Sequence, residues 1–84
     1  MTKEIEIDVY PNPAHGIVYC KMHTAEVEGE LMIYDISGRQ VSSIPVTRNQ
    51  QLYQTDISAY PPGLYQLVLK GEGHIYSVKK VVVY

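Results

Sequence analysis

The chain has 84 residues, a formal net charge of −2 and eight tyrosines as its only aromatic side chains besides histidine. At this length it forms one small domain with a modest core, because folding buries only about two-thirds of the surface of the unfolded chain. The basic residues form no run longer than Lys79-Lys80, which argues against a nucleic-acid partner or a membrane surface held by charge.

The first third of the chain predicts two strands separated by a proline-rich turn. Apolar and charged side chains alternate over residues 5–9, the period-two pattern of a half-buried edge strand. Pro11 and Pro13 end this strand, because neither can donate to a strand ladder and each keeps the preceding residue extended. A second strand follows over residues 17–22. The single cysteine, Cys20, falls on its inward face and is expected to be a small buried hydrophobic residue.

The middle of the chain predicts a central strand followed by an edge strand. Residues 31–36 are apolar on both faces, as in a strand that has neighbours on both sides. Ser37-Gly38 signals a turn, and the strand that returns over residues 39–46 contains Pro45. Proline cannot donate to a ladder, so this strand belongs on the edge of a sheet.

The last third predicts three more strands. Residues 52–57 alternate again, and a proline-rich connection over residues 58–63 leads into a strand over residues 64–70. Gly71-Glu72-Gly73 forms a hairpin loop into the final strand. The side chains expected on one face of the strand before that loop are Tyr65, Leu67 and Leu69.

In the final strand, the alternation of inward and outward side chains gives two different placements for Lys80. Counting from its start places Lys80 inward, whereas counting back from its end places Lys80 outward. We expect a β-bulge at Lys79-Lys80, since one extra residue there resolves the conflict. Without the bulge, Lys80 must extend to water from a buried edge. The side chains that the bulge would place on one face are Tyr76, Val78, Val81 and Val83.

These segments amount to about seven short strands at intervals of roughly ten residues, separated by glycine and proline signals. No segment of helix length joins one strand to the next. The predicted fold is therefore all-β, a small antiparallel β-sandwich of immunoglobulin or fibronectin shape. We expect residues 1–84 to form one domain.

Residue patterns that would carry chemistry are sparse. The three histidines lie in different turns, without the clustered spacing of a zinc site. Three aspartates near strand ends resemble calcium ligands of other sandwiches, but no acidic loop joins them, so we interpret them as turn and edge charges. No nucleophile stands beside a base. We predict no catalytic residue, no metal ligand, no cofactor and no small-molecule substrate. The three aspartates are Asp8, Asp35 and Asp56.

Four sequence blocks, in this order, resemble the motifs of one known family. They are Tyr10-Pro11-Asn12-Pro13 with Gly16, Leu31 to Val41 around Asp35-Ile36-Ser37-Gly38-Arg39, Asp56-Ile57-Ser58 with Pro62-Gly63-Leu64-Tyr65, and Lys79-Lys80-Val81-Val82. Each block is weakly specific alone, but together they cover nearly the whole chain. The chain is similar to the type A C-terminal sorting domain of the type IX (Por) secretion system, which is found on cargo proteins of Bacteroidetes.

The resemblance implies a function in secretion. The domain would be the C-terminal part of a larger precursor, joined in cis to an N-terminal cargo domain. It would pass through the periplasm, be recognised by the type IX secretion machinery and reach the outer membrane surface or the medium, where a surface sortase usually removes it. The residues that match motif positions are Pro11, Asn12, Pro13, Gly63, Tyr65, Lys79, Lys80, Val81 and Val82. The chain departs from the family at Tyr84, where a basic or polar residue is common.

Two features around this resemblance agree with a precursor. The first residues, Met1 to Glu4, are not a signal peptide, so an export signal would have to precede the domain. No apolar stretch approaches the ~20 residues that cross a bilayer.

The residues alone leave two alternatives open. A final strand at a sheet edge would offer unpaired backbone groups to which a receptor adds a strand, with the lysine pair marking the register. Alternatively, the charges of Lys79-Lys80 would serve only to prevent aggregation through an exposed strand edge. The second functional class is a non-catalytic binding or adhesion module, with Tyr10, Tyr53 and Tyr60 as an exposed aromatic platform.

Overall fold

The structure, a computed structural model, describes residues 5–24 and 26–84. Within these residues the secondary structure is entirely β, and no helix is long and apolar enough to cross a membrane. The strands are β1 (Ile7–Tyr10), β2 (Ile17–Met22), β3 (Gly29–Tyr34), β4 (Gln40–Val46), β5 (Leu52–Asp56), β6 (Gly63–Gly71) and β7 (His74–Val83).

The strands form two sheets that pack as a sandwich. One sheet has three strands in the order β1-β2-β5, and the other has four in the order β4-β3-β6-β7. All of the paired strands are antiparallel. The predicted small antiparallel β-sandwich is therefore confirmed.

The core lies between the two sheets and is built from alternate residues of each strand. On β6, Tyr65, Leu67 and Leu69 are buried, as the alternation predicts. Cys20 on β2 is 2% exposed, and burial raises the pKa of its thiol to about 11, with a smaller contribution from the charge of Asp8. Cys20 thus packs as a hydrophobic residue. The most completely buried large side chains are Ile7, Met22, Leu31, Ile33, Leu69 and Val81.

The predicted positions of the strands within the larger sheet are confirmed. β3 pairs with β4 on one side and with β6 on the other, which explains why it is apolar on both faces. Pro45 lies on β4 at the edge of the sheet. Because Pro45 lacks an N–H group, it interrupts any ladder that another strand could build on that edge.

The predicted bulge at Lys79-Lys80 is wrong. The register of β6 and β7 shifts next to the hairpin instead, where Lys70 pairs with Ile75 but Leu69 pairs with Ser77, so that Tyr76 is the extra residue. From Ser77 to Val83 the pairing is regular. The bulge turns Tyr76 inward early in the strand, and the alternation that follows needs no second correction.

The register also contradicts two expectations: that Val78 lies on the buried face, and that Lys80 starts from the core side when no bulge is present. Val78 faces outward and is 49% exposed, rather than joining the buried face. Lys80 pairs with Gln66 on the outer face. Lys79 pairs with the buried Leu67, so it is Lys79 that begins on the core side and reaches water past the edge of the sandwich.

Candidate functional site

The sequence blocks that are far apart in the chain meet at one end of the sandwich. Gly63 of the third block pairs with Val83 beside the fourth. The Ile57 N–H donates to the Gly16 carbonyl at 2.7 Å, which joins the third block to the first. The end of β3, which leads into the second block, pairs with the start of β6. We call this surface the motif end, comprising residues 10–16, 35–39, 56–65 and 80–84.

The first block contacts the fourth directly, through a segment that lies along the outer edge of β7. Asn12 Nδ2 donates to the Lys80 carbonyl at 3.1 Å, and the Val82 N–H donates to Asn12 Oδ1 at 3.0 Å. The Ala14 N–H donates to the Val82 carbonyl at 2.7 Å, and the Tyr84 N–H donates to the Ala14 carbonyl at 3.2 Å. We call residues 12–14 in this arrangement the clasp.

The clasp is parallel to β7 and is fixed by its local sequence. Ala14 is fully buried and forms a parallel bridge with Val83, a position that a small side chain fits. Pro11 and Pro13 flank Asn12, and the peptide bond before each proline is cis. Because a proline has no N–H group, the polar contacts of this turn with β7 come from the Asn12 side chain and the Ala14 backbone.

His15 extends the contact to the last residue of the chain. Its Nδ1 atom lies 2.9 Å from the main-chain oxygen of Tyr84, and the two rings stack with centroids 5.6 Å apart. Both side chains are exposed. They form the outermost surface of the contact between the first and fourth blocks.

The second block is a tight turn organised by a carboxylate. Asp35 Oδ1 accepts hydrogen bonds from the Ser37 N–H, the Ser37 hydroxyl and the Arg39 N–H, and Gly38 has a φ of 87° that favours glycine. Hydrogen bonding, above all from the Ser37 hydroxyl, holds the pKa of the Asp35 carboxyl below its ordinary value. The Arg39 side chain lies over the same carboxylate, with 3.3 Å between Nε and Oδ2.

The third block repeats the Asp-Ile-Ser turn. Asp56 Oδ1 accepts from the Ser58 N–H at 2.9 Å and from the Ser58 hydroxyl at 2.6 Å, and the hydroxyl is the main reason that the pKa of Asp56 is lowered. The middle isoleucines differ, since Ile57 is 3% exposed and Ile36 is 83% exposed. Packing explains Ile57, whereas Ile36 presents an apolar side chain to solvent.

Gly63 and Tyr65 shape the start of β6. Gly63 has a positive φ of 156°, a backbone conformation that residues with a side chain rarely adopt. The buried Tyr65 donates its hydroxyl to the Pro61 carbonyl at 2.6 Å, and its ring centroid lies 5.3 Å from that of Tyr60. The Gly-x-Tyr pattern therefore fixes the connection between β5 and β6.

A shallow pocket of about 260 Å³ lies between the second and third blocks. Its lining is mainly apolar and includes Ile36, Val41, Tyr60 and Leu64, together with Arg39.

The fourth block divides into buried and accessible positions. Val81 is 1% exposed and belongs to the core. Lys79 and Lys80 are exposed, and Val82 is 44% exposed. The surface of this block that a partner could contact consists of the two lysines and Val82, while the buried Val81 anchors the strand in the core.

Two expectations about this region need correction. The last strand lies at a sheet edge, but the clasp already bonds its Lys80 carbonyl, both backbone groups of Val82 and the Tyr84 N–H, so these groups are not open to a receptor. The aromatic platform does not form, because Tyr53 is 4% exposed and its hydroxyl accepts from the Thr47 N–H. Tyr10 stacks instead on its cross-strand neighbour Tyr19.

Sequence reasoning missed Ala14 and His15, which complete the contact with β7. The signal for them was a small apolar residue, Ala14, in the proline-rich turn that ends at Gly16. The alternation of apolar and polar residues within a strand carries no information about a contact made by a turn residue. Among residues 5–24 and 26–84, no group of three or more His, Cys, Asp or Glu side chains is placed to hold a metal ion.

The fold is a small β-sandwich in which the four sequence blocks lie together at one end. Residues 8–84 match the family described as the secretion system C-terminal sorting domain, and the chain belongs to that family. It is thus a C-terminal sorting signal of the type IX secretion system. Domains of this family interact with the type IX machinery and direct export across the outer membrane to the cell surface or the medium. Comparison with curated proteins found no significant match.

Proposed function

We propose that this domain carries an N-terminal cargo, joined in cis, from the periplasm through the type IX machinery, and that a surface sortase then removes the domain. The observation that supports this role most strongly is the convergence of all four motif blocks at the motif end. Motifs spread over the whole chain thereby form one surface that a receptor can contact.

The direction of the chain supports the same function. β1 runs from Ile7 towards the motif end, so Ile5, whose N–H donates to the Tyr76 carbonyl, lies towards the opposite end. The domain is 35 Å along its longest axis. A cargo attached before Ile5 would therefore lie away from the motif end and leave it accessible.

The motif residues take three roles in this proposal. Tyr65 and Val81 are positioning residues, because both are buried and hold β6 and β7 together. Gly63 and the two prolines Pro11 and Pro13 shape the turns. Receptor contacts come from the exposed surface that these positions support, namely Asn12, Lys79, Lys80 and Val82.

The test is export of a fluorescent passenger that carries an N-terminal signal peptide and this domain at its C-terminus. We expect passenger on the surface of a strain with the type IX system and periplasmic retention in a strain without it. A matched control fusion places the domain before the passenger instead, and should stay in the periplasm of both strains. Retention of the C-terminal fusion in both strains would refute the sorting role and favour the binding or adhesion module.

Removal by the sortase has its own readout. The mass of the surface passenger should lack the domain in the competent strain and include it in a strain without the sortase. Identical masses in the two strains would leave export intact and refute cleavage.

A further inference from the structure

The clasp occupies the place of an added β-strand. Along an antiparallel ladder, every second residue directs both backbone groups away from its partner strand. On β7 these outward residues include Lys80 and Val82, and the clasp contacts them in the manner of a parallel strand. The Asn12 amide supplies one donor and one acceptor, as a peptide group would.

The same edge continues beyond the clasp. By the same alternation, the N–H and C=O groups of Val78 face outward, and no hydrogen bond within the described residues uses them. They lie beside a groove of about 470 Å³ whose lining includes Ile5, Glu6, Tyr76 and Lys79. The groove leads from the Ile5–Tyr76 hydrogen bond towards the clasp.

We infer that β7 is a docking edge for an extended, acidic peptide segment of a partner protein, which displaces the clasp and pairs in parallel from Val78 to Tyr84. The parallel direction follows from the clasp itself, whose Ala14 backbone pairs with this edge in that orientation. Strand addition of this kind takes its affinity from main-chain hydrogen bonds. The acidic character follows from Lys79 and Lys80, whose exposed side chains flank the edge on its two faces.

The other edge of the same sheet does not fit this role. Pro45 on β4 lacks the N–H group that a continuous ladder needs at that position. A peptide pairing with the four-stranded sheet is thereby directed to β7. The clasp keeps that edge closed until such a peptide competes for it.

The experiment uses the whole 84-residue chain and two synthetic hexapeptides as probes. The first is Glu-Val-Glu-Val-Glu-Val with blocked ends, and the second has the same side chains with every backbone nitrogen methylated. We expect the first peptide to shift the amide resonances of residues 78–84 in NMR spectra and the second to leave them unchanged, because a methylated backbone nitrogen cannot donate to the ladder in any register. Shifts confined to the edge of β5 or β4, or no shifts at saturating peptide, overturn the inference.

Variants of Asn12 test the competition. Asn12→Ala removes both side-chain hydrogen bonds with β7, and Asn12→Asp removes only the donor to Lys80. We expect the first peptide to bind Asn12→Ala about tenfold more tightly than the unaltered chain, since two hydrogen bonds no longer oppose it, with Asn12→Asp in between. Gln54→Ala, an exposed position on β5, should bind like the unaltered chain. Equal affinity for all variants contradicts displacement. Neither result bears on export, so failure here leaves the proposed function standing.

Discussion

Val82 donates its N–H to Asn12 Oδ1 at 3.0 Å across 70 positions of sequence. With the bond from Asn12 Nδ2 to the Lys80 carbonyl, this contact joins the opening motif of the chain to its closing motif. The two blocks therefore form one structural unit.

The first prediction concerns the stability that the clasp supplies. Asn12→Ala should lower the free energy of unfolding by about 1–2 kcal/mol, because each lost hydrogen bond contributes about 1 kcal/mol net at a partly solvated site. Denaturant titration of the variant and of the unaltered chain measures the difference. Gln54→Ala is the control and should change stability by less than about 0.5 kcal/mol. A loss no larger than that of the control would show that water replaces Asn12 without cost.

The alternation of apolar and polar residues within each strand predicts much of this fold, but it does not predict the clasp. Burial of one face is a local property, so the inward positions of β2 and β6 and the edge position of Pro45 follow from neighbouring residues. The clasp depends on Asn12 reaching Val82, and no local pattern encodes that distance. The position of the bulge at Tyr76 was not predicted for a related reason. Alternation indicates that the register changes within the strand, but it does not determine which residue is the extra one.

The second prediction separates recognition from folding at the lysine pair. The double substitution Lys79→Ala/Lys80→Ala should abolish or strongly reduce surface export of the fluorescent passenger. It should change the free energy of unfolding by less than about 0.5 kcal/mol, since both side chains are exposed. The matched control, Lys21→Ala/Lys70→Ala, removes the same charge elsewhere and should preserve export. Normal export of the Lys79/Lys80 variant would assign the pair to solubility alone.

The third prediction concerns the two Asp-Ile-Ser turns. The pKa values of Asp35 and Asp56 are lowered in the folded chain. Each ionised carboxylate therefore stabilises the fold above its unfolded pKa, and this stability is lost as the pH falls through the folded pKa. Ser37→Ala should raise the pKa of Asp35 alone, and Ser58→Ala that of Asp56 alone. NMR titration of the carboxyl groups measures both. A rise at the wrong aspartate, or none, contradicts the assigned hydrogen bonds.

The fourth prediction uses the buried thiol. Because Cys20 is 2% exposed and its pKa is raised to about 11, a thiol reagent at about pH 8 should label the folded chain far more slowly than the unfolded chain in denaturant. The raised pKa stabilises the fold below the unfolded value of 9.0, and that contribution should be lost as the pH rises through about 11. Labelling at equal rates in the two states would place Cys20 outside the core.

The last prediction assigns the Gly-x-Tyr motif a structural role. Tyr65→Phe keeps the buried ring and loses only the hydrogen bond from the hydroxyl to the Pro61 carbonyl, so it should lower the free energy of unfolding by about 1 kcal/mol and preserve export. Tyr65→Ala also removes the ring that contacts Tyr60, and should lower it by about 3–5 kcal/mol and reduce export through unfolding. Export measured alongside denaturant titration for both variants decides the role. If Tyr65→Phe stops export while the domain remains folded, a receptor reads the hydroxyl itself, and Tyr65 would join Lys79 and Lys80 as a contact residue.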